Sequence, residues 1–287
     1  MEKNEESRLD PPDTWLVQMN ELLSANDVPH VRRPMDAWRE WSMKTGVSLG
    51  LNDPSVRRIF EWFEKNAPEG SHNIGSMYVG TYYFDACFWP ITIWHIFGTV
   101  RVDSRDSLTT MPDAIKARLF ISDKMQDFIS VWADCADYGL GFDEIISKSE
   151  TDFAMELLRS ADQQLRSTVT VLHQRHPNPK AMESSRMATE MFLKSFLARH
   201  AGLTAEDAQN KLRHNLNNAL SEVLKVDANS EIANVGPHLG VFPAVGDRYK
   251  GESRGLKDLW RGYQIAQFSG TFVVRNFSGR DIRKRVG

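Results

Sequence analysis

The sequence contains few cysteines. In 287 residues there are two, Cys87 and Cys135, which cannot form a disulfide framework and do not have the spacing of zinc ligands. A disulfide-stabilised secreted domain and a zinc site are therefore not predicted, and the reducing cytoplasm is the predicted compartment. The sequence also lacks a glycine-rich phosphate-binding loop, and no cofactor is implied.

Long apolar runs are also absent. The most apolar stretch, residues 77–100, is interrupted by Asp85, Pro90 and His95. A helix that crosses a membrane needs about 18 consecutive apolar residues, so this stretch predicts a buried core element and no membrane partner. Its aromatic and β-branched residues suit either a buried helix or short strands, and periodicity does not decide between the two.

The chain has little excess charge. Its formal net charge is −3, so no overall attraction to nucleic acid is expected, and such a site would have to be a local basic patch. Hydrophobic residues make up 41% and charged residues 25%, which is typical of a soluble globular protein. The polar N-terminus lacks the pattern of a signal peptide.

Helical periodicity covers most of the chain. The predicted helices are residues 13–25, 53–70, 122–141, 149–176, 180–202, 215–226 and 256–276. Asp13 or Thr14 is expected to cap the first helix, and glycines are expected to end the third. We therefore predict a mainly α fold, with a mostly helical region of unknown role in residues 1–149 and an antiparallel helical bundle in residues 150–287.

Three motifs in the second half follow the order of a known family. The helix SSRMATEMFLKSFLARHAG resembles the pattern A..A.E..LKa.l...G, His214 and Leu216 form a His-x-Leu turn after it, and Arg248 and Tyr249 precede the last helix. In these motifs residues 150–285 resemble the HEPN superfamily, the higher eukaryote and prokaryote nucleotide-binding domains. The resemblance implies a helical bundle and a partner that is RNA or a nucleotide.

Many HEPN members are metal-independent ribonucleases, and the resemblance places their site near the end of the bundle. The family motif is an arginine, often followed by a polar residue, and then a histidine after four to six intervening residues. Arg275 and Asn276 lie where this motif begins, but Arg280 stands where the histidine could be, and no histidine follows His238. Two such sites usually face each other in a dimer, so a homodimer is implied as well.

Replacing this histidine changes the chemistry. Metal-independent RNA cleavage uses the 2′-hydroxyl as nucleophile and needs a proton acceptor, a proton donor and positive charge at the phosphate. Histidine exchanges protons near neutral pH, whereas arginine stays a cation. The sequence therefore predicts an RNA- or nucleotide-associated module that binds phosphate through Arg275 and Arg280 and lacks the ribonuclease acid or base.

Other interpretations stay open. Arg283 and Lys284 would extend the phosphate site, but they would also suit a solvated end without a ligand. An active ribonuclease would need Arg275 and Asn276 together with a non-standard acid or base such as His214. A protein-interaction or dimerisation scaffold is the third hypothesis.

The helix at residues 180–202 carries a polar stripe of four residues, which are Glu183, Arg186, Glu190 and Lys194. Their spacing predicts a solvated face of ion pairs. In the family this helix also borders the active cleft, so Arg186 and Glu190 are candidate RNA contacts. Bacterial relatives often belong to toxin–antitoxin or phage-defence systems, and the resemblance suggests such a role.

Three further features favour structural roles over functional ones. Arg166 and His173 lie seven positions apart on one helical face, a spacing that also arises by chance. Cys135 is interpreted as a buried cysteine rather than a nucleophile. An aromatic cluster could stack a base, but core packing is the favoured interpretation. Its members are Trp89, Trp94, His95 and Phe97.

Overall fold

The structure is a computed structural model of the chain. It describes residues 10–48, 50, 53–68, 76–94, 102–148, 152–228, 230–244, 246 and 254–286. The chain divides into two compact units, Met1–Ser76 and Met77–Gly287, each of which is described by itself. Among the motif residues of the HEPN resemblance, Arg248 and Tyr249 lie outside the described residues, as do His95 and Phe97 of the aromatic cluster.

The described residues are mainly helical, as predicted. The first unit contains α1 (Asp13–Ala25), α2 (Arg33–Thr45) and α3 (Pro54–Lys65). The second contains β1 (Tyr78–Phe84), β2 (Cys87–Ile93), α4 (Asp113–Ile121), α5 (Met125–Lys148), α6 (Phe153–Leu172), α7 (Ala181–Ala201), α8 (Ala205–Asp207), α9 (Leu216–Val226), α10 (Leu256–Ser278) and α11 (Arg283–Val286). Short 3-10 helices at Ser104–Ser107 and Glu231–Val241 and a π turn at Ala208–Leu212 complete it.

The helices of the first unit pack around their own apolar core. Trp15 of α1 and Trp41 of α2 are in contact, with ring centroids 4.7 Å apart. α3 begins as predicted, with Pro54 in its first turn, and the Asp53 side chain accepts the backbone N–H of Ser55. The expected cap of α1 is wrong: Pro12 occupies the capping position, and no side chain caps that helix.

The apolar stretch from residue 77 onward contains an antiparallel hairpin, so of the two expected forms its described part takes that of short strands. β1 pairs with β2 from Tyr78 opposite Ile93 to Phe84 opposite Cys87. Asp85 and Ala86 connect the strands with φ values of 54° and 58°, because a two-residue type I′ turn requires a positive φ at both of its central residues.

α5 is longer than the sequence predicts. Its glycines were expected to end the helix, but Gly139 and Gly141 lie inside it, and α5 continues to Lys148. Both glycines allow close packing, because a Cβ atom at Gly139 would lie 2.7 Å from the Tyr78 Cβ atom and one at Gly141 would lie 2.5 Å from a Val274 methyl carbon. The missing side chains therefore let β1 and α10 approach α5.

The core of the second unit is built from α5, α6, α7 and α10. α6 and α7 pack along each other and are joined by the short segment 173–180, so they run antiparallel. α7 and α10 end at Gly202 and Gly279, whose φ values of 66° and 71° suit a helix C-cap. α5 and the hairpin share one apolar cluster with α6, α7 and α10, so the structural division lies at residues 76 and 77 and not at the expected 149 and 150.

The segment after α9 also differs from expectation. The Gly- and Pro-containing sequence from residue 236 onward lies outside the predicted helices, but residues 231–241 form a 3-10 helix that contains Pro237. Ser230 caps it by accepting the backbone N–H of Ile232, and Ile232, Val235 and Leu239 are buried. Ile232 and Val235 are one three-residue turn of a 3-10 helix apart, and Leu239 follows four residues later. This helix brings Glu231 close to α10.

The close packing of α5 generates a stability prediction. In Gly139→Ala the new methyl group would overlap the Cβ atom of Tyr78. The cost of this overlap should exceed the gain from the higher helix propensity of alanine, so the free energy of unfolding should fall by about 1–3 kcal/mol. The matched control is Gly240→Ala, since a Cβ atom at Gly240 meets nothing within 4 Å. Urea unfolding of both variants tests this, and equal stabilities would contradict it.

Candidate functional site: an ion-paired arginine beside two cavities

Arg275 lies in the last turn of α10 and is buried among carboxylates. Its Nε donates to Asp137 Oδ2 at 2.8 Å, and its Nη2 donates to Asp134 Oδ1 at 2.8 Å. Its Nη1 donates to Glu231 Oε1 at 3.2 Å. The Arg275 side chain is only 8% exposed. All three of its guanidinium nitrogens are therefore bonded to carboxylates.

Arg283 of α11 bonds to two of these carboxylates, Asp134 and Glu231. Its Nη2 lies 2.7 Å from both oxygens of Asp134, and its Nη1 donates to Glu231 Oε2 at 3.2 Å. The guanidinium also lies over the ring of Phe268, 5.5 Å from its centroid. We call Arg275, Arg283, Asp134, Asp137 and Glu231 the ion-pair cluster.

The rest of the basic C-terminal stretch is also matched by acids. Arg280 pairs with Glu144 at 3.1 Å, and Lys284 pairs with Asp281 at 2.9 Å. The backbone N–H of Ile282 donates to Asp137 Oδ1 at 2.7 Å, which ties the segment to α5. The side chain of Arg285 is outside the described part. This end of the chain is therefore docked, and it is not the solvated tail that one interpretation of the sequence allowed.

The ion-pair cluster contains three carboxylates and two guanidiniums, and the pKa of one of these carboxyls, Asp134, is shifted. Burial raises the pKa of Asp134 to about 6, because removing the carboxylate from water outweighs the attraction of Arg283 and Arg275. Burial alone would lower the pKa of Arg275, but the charges of Asp134 and Asp137 outweigh it and raise that pKa. Arg275 therefore stays a cation, whereas Asp134 can take up a proton as the pH falls to about 6.

Asn276 makes a local contact. Its side-chain amide donates to the Phe272 carbonyl at 2.8 Å, one turn earlier in α10. This bond holds the residue in a helical, structural role.

His214 lies in a second polar cluster, together with Arg186 and Glu190. Its Nδ1 is 3.1 Å from Glu190 Oε1, and its side chain is 62% exposed. Lys194 donates to the same Glu190 oxygen at 2.7 Å, and Arg186 donates to the His214 carbonyl at 2.6 Å. Glu190 therefore orients an imidazole whose ring reaches the surface.

The turn that carries His214 is strained. Arg213 has φ 49° and ψ −128°, a conformation that glycine adopts more easily than arginine. Lys194 donates to the Arg213 carbonyl at 2.6 Å, so cations of α7 bind two successive carbonyls of the turn. The expectation of a solvated polar stripe is thus wrong for Arg186, Glu190 and Lys194, which are buried against this turn.

The structure therefore groups the predicted site residues in two places. Arg275 and Arg283 share the ion-pair cluster, with Arg280 and Lys284 beside it, whereas Arg186, Glu190 and His214 form the second cluster. In the part of the chain that the structure describes, no ion pair or side-chain hydrogen bond joins the two. Asp134, Asp137 and Glu231 were not among the predicted site residues, although Asp134 and Asp137 lie three positions apart in the buried part of α5.

The remaining candidates have structural partners. Arg166 pairs with Asp162 at 2.8 Å, and the ring of His173 bonds to Thr81 at 3.0 Å, so the two are directed at different groups. Burial lowers the pKa of His173 to about 4. Cys135 is completely buried 3.8 Å from the Tyr263 hydroxyl, and burial raises the pKa of its thiol. A buried neutral thiol is a poor nucleophile.

Two cavities adjoin the ion-pair cluster. The larger, of about 880 Å³, is bounded by α5, α10 and the 3-10 helix at Glu231–Val241, and we call it the trough. Asp134 and Arg283 line one end, and the buried side chains of Tyr263 and Gln267 also face it. The smaller cavity, of about 440 Å³, is lined by Arg275, Asn276 and Arg280. Arg283 borders both cavities.

Comparisons of the chain with protein-family models, with curated proteins and with solved structures find no match. The likeness to the HEPN superfamily therefore stays a prediction from the sequence motifs. None of the helices in the described part of the chain has the length and hydrophobicity that a membrane crossing requires.

The burial of Arg275 generates a prediction about stability. Arg275→Ala should lower the free energy of unfolding by about 3–5 kcal/mol, because it leaves buried carboxylates without their cation. Arg280→Ala is the matched control, since its pair with Glu144 is exposed and should matter little. Chemical unfolding measures both variants. Equal stabilities would show that Arg275 is not a structural residue.

The raised pKa of Asp134 generates a prediction about pH. A carboxyl whose pKa is higher in the folded state adds stability at low pH and loses that contribution as the pH rises through about 6. The loss should be on the order of 3 kcal/mol. Asp134→Asn should remove it, and Asp127→Asn, near the start of the same helix, should keep it. Urea unfolding between about pH 4 and pH 7 distinguishes them; identical pH profiles would contradict the assignment.

Proposed function

We propose that the second unit is a HEPN-like module that binds RNA or a nucleotide and does not cleave RNA. The observation that carries the proposal is the bonding of Arg275. This is the arginine of the family motif, and its nitrogens are bonded to Asp134, Asp137 and Glu231. An arginine held in this way serves the fold and is not available to a scissile phosphate.

The replacement of the motif histidine by an arginine supports the same proposal. Arg280 stands in place of the motif histidine, and its guanidinium pairs with Glu144. Neither arginine can act as an acid or base near neutral pH. Acid–base assistance typically contributes about 10²–10⁴-fold to a rate, so a site without it would bind RNA more effectively than it cleaves RNA.

The binding part of the proposal is supported by the trough. A cavity of about 880 Å³ with polar and apolar walls is of the size that small ligands and single-stranded segments occupy. Its wall includes the cations Arg254, Arg261 and Arg283, which can contact phosphates, and Phe268, which can contact a base. The cytoplasmic location, the homodimer and the role in defence stay predictions from the sequence.

One observation favours a second candidate function, an active ribonuclease. Glu190 bonds to Nδ1 of His214, and 62% of the His214 side chain is exposed. A carboxylate that orients a histidine is a common arrangement for proton transfer. This pair does not contact Arg275, so an enzyme that uses it would depart from the family mechanism.

A cleavage assay with purified protein, single-stranded RNA and EDTA tests the proposal. We expect salt-dependent binding without cleavage, even at high protein concentration. Cleavage that is lost in His214→Gln but kept in His176→Gln would establish the second candidate and contradict our proposal. If neither RNA nor nucleotides bind, the proposal fails and a protein-interaction scaffold becomes the better interpretation.

A further inference from the structure

The trough is elongated along α10. Asp258, Arg261, Ile265 and Phe268 line it at helical spacing, and ten residues of helix span about 15 Å. α5 forms the facing wall, where Asp127, Val131 and Asp134 are spaced by one turn. The trough is thus a channel between two helices, closed along its third side by the 3-10 helix Glu231–Val241.

Cations lie at both ends of the trough. Near the start of α10 are Arg254 and Arg261, and the Arg261 side chain is 67% exposed, with its carboxylate partner Asp258 as far as 4.0 Å away. At the other end Arg283 lies over Phe268. Amide and apolar side chains, such as Gln264 and Val235, line the length between them.

A ligand that contacts both ends must carry phosphates separated by more than one nucleotide. A mononucleotide has its phosphate at one end only, whereas a single strand repeats phosphates along its length and offers bases to apolar and aromatic surfaces. We propose that the trough binds a single-stranded RNA segment through its phosphodiesters, and that one phosphate is bound by Arg283 in exchange for Asp134. This inference rests on the proposed function and adds the site, the ligand class and its regulation.

The geometry of Arg283 supports such an exchange. Both oxygens of Asp134 bond to Nη2, so the carboxylate does not use the paired donors Nε and Nη2. The Arg283 Nε is buried and has no hydrogen-bond partner among the described residues. A phosphate in place of Asp134 could accept from Nε and Nη2 together, which is the two-point geometry that arginine favours with oxyanions. Phe268 would remain as a stacking surface.

The charges that face Asp134 make the exchange pH-dependent. Arg275 of α10 and Arg283 of α11 attract its charge, and Glu231 of the 3-10 helix and Asp137 of α5 repel it. Asp281 adds a further carboxylate, 3.9 Å from Arg275. Protonation of Asp134 weakens its hold on Arg283, so RNA should bind more tightly below the Asp134 pKa of about 6 than above it.

The test uses a labelled oligouridine of about eight nucleotides with hydroxyl ends. Its phosphodiesters and uracils do not titrate near neutral pH, so only the protein changes charge. Binding is measured by fluorescence anisotropy at about pH 5.5 and pH 7.5 at constant salt. If protonated Asp134 is required, the affinity of the wild type should rise by up to about 25-fold at the lower pH.

Variants at both ends of the trough identify the site. Asp134→Asn should bind tightly at both pH values, and Arg283→Gln should bind about tenfold more weakly at pH 5.5. Arg261→Gln should also weaken binding. Because Arg261 is exposed, its replacement should leave folding intact, so this variant tests the site even if Arg283→Gln does not fold. Lys284→Gln and Lys257→Gln are the matched controls, since neither residue lines the trough. His238→Gln should retain the pH dependence.

The outcomes separate this inference from the proposed function. If RNA binds but Asp134→Asn, Arg283→Gln and Arg261→Gln all behave as the wild type does, the trough is not the site and the proposed function stands. Loss of the pH dependence in His238→Gln would overturn the role of Asp134. Equal competition by uridine monophosphate would replace RNA by a mononucleotide and overturn the ligand class. If neither RNA nor nucleotide binds, both proposals fail.

Discussion

Arg275 belongs to α10, and its guanidinium links that helix to three other segments of the second unit. It bonds to α5 through Asp134 and Asp137, to the 3-10 helix through Glu231, and it lies near the loop at Asp281. A buried cation is costly unless it is paired and hydrogen-bonded, and here each of its nitrogens has a carboxylate partner. The position of α11 and the walls of both cavities depend on this cluster, because Arg283 binds two of these carboxylates, Asp134 and Glu231, and lines both cavities.

Much of the fold could be predicted from the sequence, because helices α1, α3, α6, α7 and α10 carry their own local signals. Their bounds can be predicted approximately from periodic apolar residues and from Pro, Gly and Asp at the helix ends, without knowledge of tertiary contacts. The extent of α5 could not be predicted, since glycine ends a helix locally and only the packing of Tyr78 and Val274 against Gly139 and Gly141 explains why it continues. The expected boundary between residues 149 and 150 separates α5 from helices with which it shares one apolar cluster, and local sequence signals do not reveal such tertiary contacts.

The candidate site was less predictable than the fold. Arg275 lies in the last turn of α10, where the predicted helix also ends, but its partners Asp137 and Asp134 lie 138 and 141 residues away along the chain. Their burial follows from tertiary contacts and leaves little local signal. Buried carboxylates need cations, so two aspartates on an apolar helix face indicate that some arginine must meet them. That requirement does not identify which arginine does so.

The two polar clusters use charge in the same way. In one, Arg275 and Arg283 fix the C-terminal segment to α5, and in the other Lys194 and Arg186 hold the carbonyls of the strained turn at Arg213. The buried Arg275 therefore stabilises the fold, and a ligand would have to contact cations that are partly exposed. Arg261 and Arg283 are partly exposed and lie at opposite ends of one cavity. A polymer of phosphodiesters could reach both, which is why we propose the trough, and not the motif arginine, as the site for RNA.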